Sequence, residues 1–226
     1  MVSTRSGDGT AEGYRRRRPV PAIALLTVLF VVVVVVWVQV LTKGDSVANT
    51  TTCPPPATAT GSPTIEVGAP PAPVGTKINP DALTSTAPAA PKATQVRVLN
   101  ANGQRGQAAL VAAQFAQLGF GPAPDMASGN DPVYTGQNLQ CHGQIRFGQA
   151  GTATARTVSL LVPCAELVQD GRRDGIVDIA LGTAFTAINS DTQVSSVLTA
   201  LTKHAADPQA PAPDAATLSA ARNVPC

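Results

Sequence analysis

The fold of this chain is decided by residues 95–120, which read QVRVLNANGQRGQAALVAAQFAQLGF. Gln95–Asn100 alternates apolar and polar residues around Val96 and Val98, which predicts a half-buried strand. Apolar residues then recur at steps of three and four, as on one face of a helix: Ala108, Val111, Phe115 and Leu118. Gly119 ends this helix, so the stretch predicts a strand, a glycine-containing turn and a helix in succession.

Further strands and a second helix follow downstream. Gly121–Ser128 predicts a weak strand that its prolines restrict to a sheet edge, and Gln144–Phe147 predicts a third strand. The apolar spacing over Ala153–Leu161 indicates a second helix, which Pro163 ends. Ile176–Leu181 predicts a fourth strand.

A third helix completes a predicted domain of residues 95–204. Ser190 and Gln193 form a capping box ahead of its apolar positions, which are Val194, Val197, Leu198 and Leu201. The order β-α-β-β-α-β-α predicts an α/β fold of the α+β sandwich type, a split βαβ-like βαββαβ unit with an added C-terminal helix. A small open parallel α/β sheet is the alternative.

Upstream of the domain, Val20–Leu41 contains no charged residue and predicts a transmembrane helix. Its 22 residues would extend about 33 Å as a helix, enough to cross a hydrocarbon core of about 30 Å. Arg15–Arg18 precede the run, which predicts a cytoplasmic tail of residues 1–19 and an extracytoplasmic remainder. A cleaved signal peptide with its site at Ser46–Ala48 is the alternative, although the apolar run is longer than such peptides use.

Residues 42–94 are rich in proline, alanine and threonine, and they predict a disordered linker. Proline keeps such a segment extended, at about 3 Å per residue, so it can act as a spacer between bilayer and domain. A linker whose length does not matter is the alternative. Residues 205–226 are predicted to be a C-terminal tail.

Charge is distributed unevenly along the chain. The first 19 residues carry five arginines and two acidic residues, whereas the remainder carries 11 basic and 12 acidic residues. A nearly neutral exported part lacks the basic surface that nucleic acid requires. We therefore expect no nucleic acid as a partner, and the predicted transmembrane helix makes the cell membrane one partner.

The four cysteines all lie in the predicted exported part: Cys53, Cys141, Cys164 and Cys226. An even number in an oxidising compartment predicts two disulfides, for which three pairings exist. Cys141 precedes the third strand and Cys164 follows the second helix, and these positions lie at the same end of a strand–helix unit. This predicts Cys141–Cys164 and, by elimination, Cys53–Cys226.

The turn Asn100–Gly106 is the strongest candidate for ligand binding. A glycine-containing turn that opens a helix can direct backbone amides at an anion, which makes Asn100, Asn102, Gly103, Arg105 and Gly106 candidate ligand-binding residues. A tight structural turn is the alternative, because neither G-x-G-x-x-G nor a Walker lysine is present.

A second turn, residues 147–151, opens the second predicted helix. Arg146 and Arg156 flank it and are candidates for a shared cleft, whereas solvated side chains are the alternative. Catalytic patterns are missing: no G-x-S-x-G elbow and no C-x-x-C occur, and the only histidines are His142 and His204. We expect no enzyme activity, no metal and no cofactor.

Four segments together resemble the LytR C-terminal domain family: Val96–Asn100, Leu118–Phe120, Arg146–Gly148 and Ile179–Phe185. They correspond to a V-x-V-L-N-G-x-G start, an aromatic-x-x-G strand end and a final L-G-x-D-F/Y. Ala101 replaces the first family glycine, and Ala184 stands where aspartate is common.

The resemblance implies a non-catalytic role in cell-envelope integrity through binding of an envelope component, either a wall component or a lipid, or of a partner protein of the envelope. The sequence has no counterpart of the LytR–CpsA–Psr domain, which transfers glycopolymers to peptidoglycan. An envelope glycopolymer-transfer enzyme, or an accessory subunit of such an enzyme complex, is the alternative.

Overall fold

A computed structural model describes residues 28–35, 37, 52–56 and 75–226. The chain divides into two compact units, Met1–Ala48 and Asn49–Cys226. In the first unit, residues 28–35 and 37 are helical with exposed side chains. Within the described ranges, no helix combines the length and apolar character that crossing a membrane requires. The predicted tail 1–19 and much of the predicted span Val20–Leu41 and linker 42–94 lie outside the described residues.

The second unit contains one mixed sheet. In the described part of the chain its strands are β1 Thr76–Ile78, β2 Gln95–Asn100, β3 Gly121–Pro122, β4 Ser128–Asn130, β5 Gly143–Phe147, β6 Glu166–Gln169 and β7 Ile176–Leu181. The sheet order is β1-β6-β5-β7-β2-β3, and β4 continues the edge beside β2. The pairs β2–β7, β2–β3, β2–β4 and β5–β6 are parallel, whereas β5–β7 and β1–β6 are antiparallel.

The helices of this unit are α1 Gln107–Gln117, α2 Thr152–Leu161, α3 Thr192–Ala206 and α4 Ala215–Arg222. Short 3₁₀ turns are found at Pro80–Leu83, Pro91–Ala93 and Gln149–Gly151. The first three helices confirm the predicted ones. The side chain that caps α3 belongs to Asp191, which accepts the backbone N–H of Gln193 at 3.0 Å, and not to the predicted Ser190.

A mixed sheet with helices confirms the broad α+β class, but the predicted split arrangement is wrong. Each crossover, β2-α1-β3 and β5-α2-β6, joins strands that are direct neighbours. The strand β7 lies between the two crossover units, where it pairs with β2 on one side and β5 on the other. The open parallel alternative is also wrong because β5 and β7 run antiparallel.

The main apolar core lies between the sheet and its helices. It combines alternate residues of the strands, such as Val98, Ile145 and Ile179, with helix residues such as Phe115 and Val158. Burial of these side chains is the largest stabilising contribution to the fold.

The folded unit is larger than the predicted 95–204 at both ends. Leu83, from the predicted linker, is buried in the main core, and the hydroxyl group of Thr157 on α2 donates to the carbonyl oxygen of Ala89 at 2.6 Å. At the other end, the predicted C-terminal tail contains α4, which buries Leu218 and Ala221 against the core.

Both predicted disulfides are wrong, because the structure pairs Cys53 with Cys141 and Cys164 with Cys226. Cys141 belongs to a second, smaller apolar cluster with Ala180 and Tyr134, whereas Cys164 lies beside the end of α4. Connectivity alone placed Cys141 and Cys164 at one end of a strand–helix unit, but it did not reveal these different surroundings.

Candidate functional site

Three backbone N–H groups of the predicted anion-binding turn form hydrogen bonds within the turn. Backbone N–H groups of Asn102 and Gly103 donate to the Oδ1 atom of Asn100 at 3.2 and 3.1 Å. The N–H group of Gln104 donates to Oδ1 of Asn102 at 3.0 Å, and Nδ2 of Asn102 donates to the carbonyl oxygen of Gly182 at 2.8 Å. These three amides are therefore already paired, which favours a structural turn that joins β2 to α1.

The glycines and the arginine of this turn have different roles. Gly103 and Gly106 have φ angles of 78° and 79°, in the left-handed region where a side chain is unfavourable. Arg105 is exposed. The turn thus requires its glycines for backbone geometry, and its arginine extends into solvent.

Arg146 does not join the turn, although both were candidate ligand-binding positions. It lies on β5, two strands from β2 and three register positions from the row that contains Asn100. The Arg146 residue is only 4% exposed, and its guanidinium group donates to Oδ2 of Asp131 at 2.8 Å and to Oε1 of Gln144 at 3.0 and 2.9 Å. The ring of Tyr134 lies 5.6 Å from its guanidinium carbon.

A row of charged residues crosses the sheet at Arg146. Asp178 on β7 is in register with Arg146 on one side and with Arg97 of β2 on the other. Arg172, from the loop before β7, forms ion pairs with Asp170 at 2.7 Å and with Asp178 at 2.8 Å. Arg146, Asp178 and Arg97 lie on one face of the sheet, because side chains of residues in register on neighbouring strands point to the same face.

This row lines a cleft of about 460 Å³, which we call the polar cleft. Its charged lining residues are Arg97, Arg146, Arg172, Asp170, Asp174 and Asp178. Three guanidinium groups face three carboxylates, so the cleft is close to neutral while offering many hydrogen-bond donors and acceptors.

The ion pairs of the polar cleft shift the protonation equilibria of their members. Burial raises the pKa of Asp170, but hydrogen bonds from the side chain and backbone of Arg172 and the charge of that residue bring the pKa below its ordinary value. Burial lowers the pKa of Arg172, and bonds to Asp170 and Asp178 outweigh this and raise it. Both groups are therefore held in their charged forms.

Two buried side-chain atoms of residues that line the polar cleft lack a hydrogen-bond partner. They are Nε of Arg97 and Oδ1 of Asp178, which lie 3.7 Å apart. The other nitrogen of Arg97 that forms an ion pair, Nη2, contacts the exposed Asp125 at 2.8 Å. The two atoms are therefore within ion-pair distance of each other, and each keeps an unused hydrogen-bonding position.

A second cluster of polar side chains connects β5, β6 and β1. Gln144 donates from Nε2 to Oε2 of Glu166 at 3.0 Å, and Lys77 forms an ion pair with Glu166 at 2.5 Å. The hydroxyl group of Tyr134 donates to the carbonyl oxygen of Pro54 at 2.6 Å. Together with the Cys53–Cys141 disulfide, this bond fixes residues 52–56 against the domain.

Sequence reasoning did not identify the polar cleft. The signal was present in the polar positions of two strong strands, Arg97 on β2 and Asp178 on β7, but their meeting depends on β7 lying next to β2. Arg156, predicted as a partner of Arg146, does not line this cleft. Within the described residues, no group of three or more potential metal ligands occurs.

Comparison with known proteins places this architecture in a family. Residues 93–185 match the family model described as LytR cell envelope-related transcriptional attenuator. The cell envelope integrity protein Cei of Mycobacterium tuberculosis is 41% identical over 199 residues, which cover 88% of each chain. This chain belongs to the LytR C-terminal domain family. The family match spans β2 to Phe185 and therefore includes every charged residue that lines the polar cleft.

A solved structure extends the comparison to the fold. The soluble domain of a conserved hypothetical secreted protein from Mycobacterium marinum is 42% identical and superposes with a TM-score of 0.60. The match covers 68% of this chain and 99% of that one.

Proposed function

We propose that this chain is a non-catalytic, membrane-anchored extracytoplasmic module that contributes to cell-envelope integrity by binding an envelope component or a partner protein. The similarity to an envelope integrity protein over 88% of both chains supports the envelope role. Two disulfides support an oxidising compartment, where such bonds persist. The uncharged run Val20–Leu41 supports an anchor with the N-terminus in the cytoplasm.

The observation that carries the binding role is the pair of polar-cleft atoms without a hydrogen bond, Nε of Arg97 and Oδ1 of Asp178. A hydroxyl group can accept from Nε of Arg97 and donate to Oδ1 of Asp178 at the same time. A ligand rich in hydroxyl groups and without strong charge, such as a wall glycan, fits a cleft whose own charges balance. A strongly anionic ligand would find no net attraction there, because three carboxylates offset the three guanidinium groups.

The alternative function, glycopolymer transfer at the Asn100–Gly106 turn, has less support. Such an enzyme would need the amides of the turn for a pyrophosphate group, and three of them are bonded within the turn. We therefore retain binding without catalysis as the proposal.

Complementation of a deletion strain tests this proposal. Deletion should raise envelope permeability and sensitivity to envelope-directed antibiotics, and the wild-type gene should restore both. Arg97→Gln should restore them poorly at unchanged protein level, because it removes the free Nε donor while Asp178 keeps Arg172. The matched control Arg105→Gln, in the exposed turn, should complement fully.

Two results would contradict different parts of the proposal. Unchanged permeability in the deletion strain would refute the envelope role. Full complementation by Arg97→Gln would refute the polar cleft as the binding surface while leaving the envelope role intact.

A further inference from the structure

Arg156 is the most unusual charged residue in the described chain. It lies on α2, is 3% exposed, and its Nε and Nη1 atoms have no hydrogen-bond partner. Among the described residues, no carboxylate comes within ion-pair distance of its guanidinium group, whereas the buried Arg146 is paired with Asp131. A buried cation without a partner is costly, because burial removes its hydration and nothing replaces it.

A second arginine opens onto the same space. Arg222, at the end of α4, lines a pocket of about 480 Å³ together with Arg156, and we call this the arginine pocket. Its Nη1 atom donates to the carbonyl oxygen of Pro80 at 2.6 Å, which fixes the side chain at the pocket wall. The polar residues Ser219 and Asn223 also line the pocket.

The electrostatics of the arginine pocket are unfavourable without a ligand. Burial lowers the pKa of Arg156, and the positive charge of Arg222 lowers it further. Asp81, the one acidic residue among those that line the pocket, acts in the opposite direction on both arginines without an ion pair to either in the described structure. A bound anion would offset both the desolvation and the repulsion.

We propose that the arginine pocket binds a phosphate group, free or carried by a larger envelope molecule. Two guanidinium groups supply the planar donors that suit phosphate oxygens, and the side chains of Ser219 and Asn223 supply further polar groups. The pocket volume exceeds that of a phosphate ion several-fold, which leaves room for the group that carries it.

The C-terminal helix forms one wall of this site. The Nδ2 atom of Asn189 donates to the carbonyl oxygen of Ala221 at 3.2 Å, and the Cys164–Cys226 disulfide ties the end of the chain to the segment after α2. The polar cleft shares none of its lining residues with the arginine pocket. Phosphate binding in the arginine pocket can therefore be tested independently of ligand binding in the polar cleft.

Thermal unfolding of the full chain in non-ionic detergent tests the inference. Sodium phosphate, compared with sodium chloride at equal ionic strength, should raise the unfolding midpoint of the wild type. Arg156→Gln should weaken phosphate binding at least tenfold, whereas the control Arg173→Gln, an exposed arginine, should respond like the wild type. Arg222→Gln provides a second pocket variant if Arg156→Gln fails to fold.

Two further probes distinguish the source of the phosphate group. Dihexanoyl phosphatidic acid, compared with dihexanoyl phosphatidylcholine, tests a lipid phosphate, and glucose 1-phosphate compared with glucose tests a sugar phosphate. Tighter binding of one ester than of inorganic phosphate would identify the carrier, whereas equal binding would identify the free ion as ligand. An equal response of the wild type and the pocket variants would overturn the inference, and so would the absence of any response in the wild type.

Discussion

Arg146 on the sheet and Arg156 on α2 are both almost fully buried, yet their surroundings differ completely. Arg146 donates to Asp131 and Gln144 and lies near the ring of Tyr134, so the fold itself supplies what water would have supplied. Arg156 has two buried nitrogens without any partner. The guanidinium group of Arg146 is hydrogen-bonded within the folded chain, whereas that of Arg156 has donors that only a bound ligand could satisfy.

This difference separates a structural charge from a ligand-binding one. Breaking a buried ion pair should destabilise the domain, because the remaining partner loses its counter-charge. Removing an unpaired buried charge should have the opposite effect, because nothing favourable is lost. The two arginine environments can therefore be distinguished by the sign of the stability change.

The largest expected effect comes from Asp131, the partner of Arg146. Asp131→Ala should lower the free energy of unfolding by about 3 kcal/mol, since it leaves a buried guanidinium group without its carboxylate. It also removes the acceptor for the backbone N–H groups of Val133 and Tyr134. Urea unfolding of residues 49–226 with both disulfides intact would measure the change.

The control for this prediction is the ion pair between Arg97 and Asp125. Its atoms are equally close, at 2.8 Å, but the side chain of Asp125 is 53% exposed. Asp125→Ala should cause no measurable loss of stability, because water replaces the contact. Equal losses for both variants would break the distinction between buried and exposed charge pairs.

Much of the fold could be predicted from the sequence. The elements that were missed depend on tertiary contacts and not on a local apolar pattern. Strong periodicity gave β2 and β7 at their observed bounds and gave all three of the first helices. The missed β6 contains the buried Glu166, whose burial depends on Lys77 and Gln144 and so breaks the expected apolar pattern. The missed α4 has one large apolar residue, Leu218, and is stable through packing on the domain.

The candidate sites were less accessible because they depend on the order of strands. Arg97 and Asp178 are far apart in sequence, and their meeting follows from β7 pairing with β2. Arg156 and Arg222 meet because α4 packs beside α2, an arrangement that the predicted tail did not contain. The disulfide pairings failed for the same reason, since they depend on which parts of the chain lie near each cysteine.

A smaller effect of opposite sign is expected at Arg156. Arg156→Met, which keeps much of the side-chain volume, should raise the free energy of unfolding by about 1 kcal/mol in phosphate-free buffer. Urea unfolding beside Arg173→Met, the exposed control, would measure this. A loss of stability would mean that Arg156 is satisfied within the fold and would remove its distinction from Arg146.

The smallest effect is expected for the ion pair between Asp170 and Arg172 in the polar cleft, whose contribution to stability should depend on pH. Burial raises the pKa of Asp170, but hydrogen bonds from Arg172 and the charge of that residue outweigh it, so the pKa in the folded protein lies below that in the unfolded chain. Ionised Asp170 therefore stabilises the fold above about pH 4, and this contribution disappears as the pH falls through the lowered pKa.

Asp170→Asn should be less stable than the wild type at pH 6, and this difference in the free energy of unfolding, the gap, should close toward pH 2.5. In an Arg172→Gln background the substitution should show a smaller gap with a weaker pH dependence, because the guanidinium group that lowers the pKa is gone while the backbone N–H group of residue 172 remains. Urea unfolding of the four proteins between pH 6 and pH 2.5 would measure both trends, and a gap of constant size in the wild-type background would exclude the Asp170–Arg172 pair as their source.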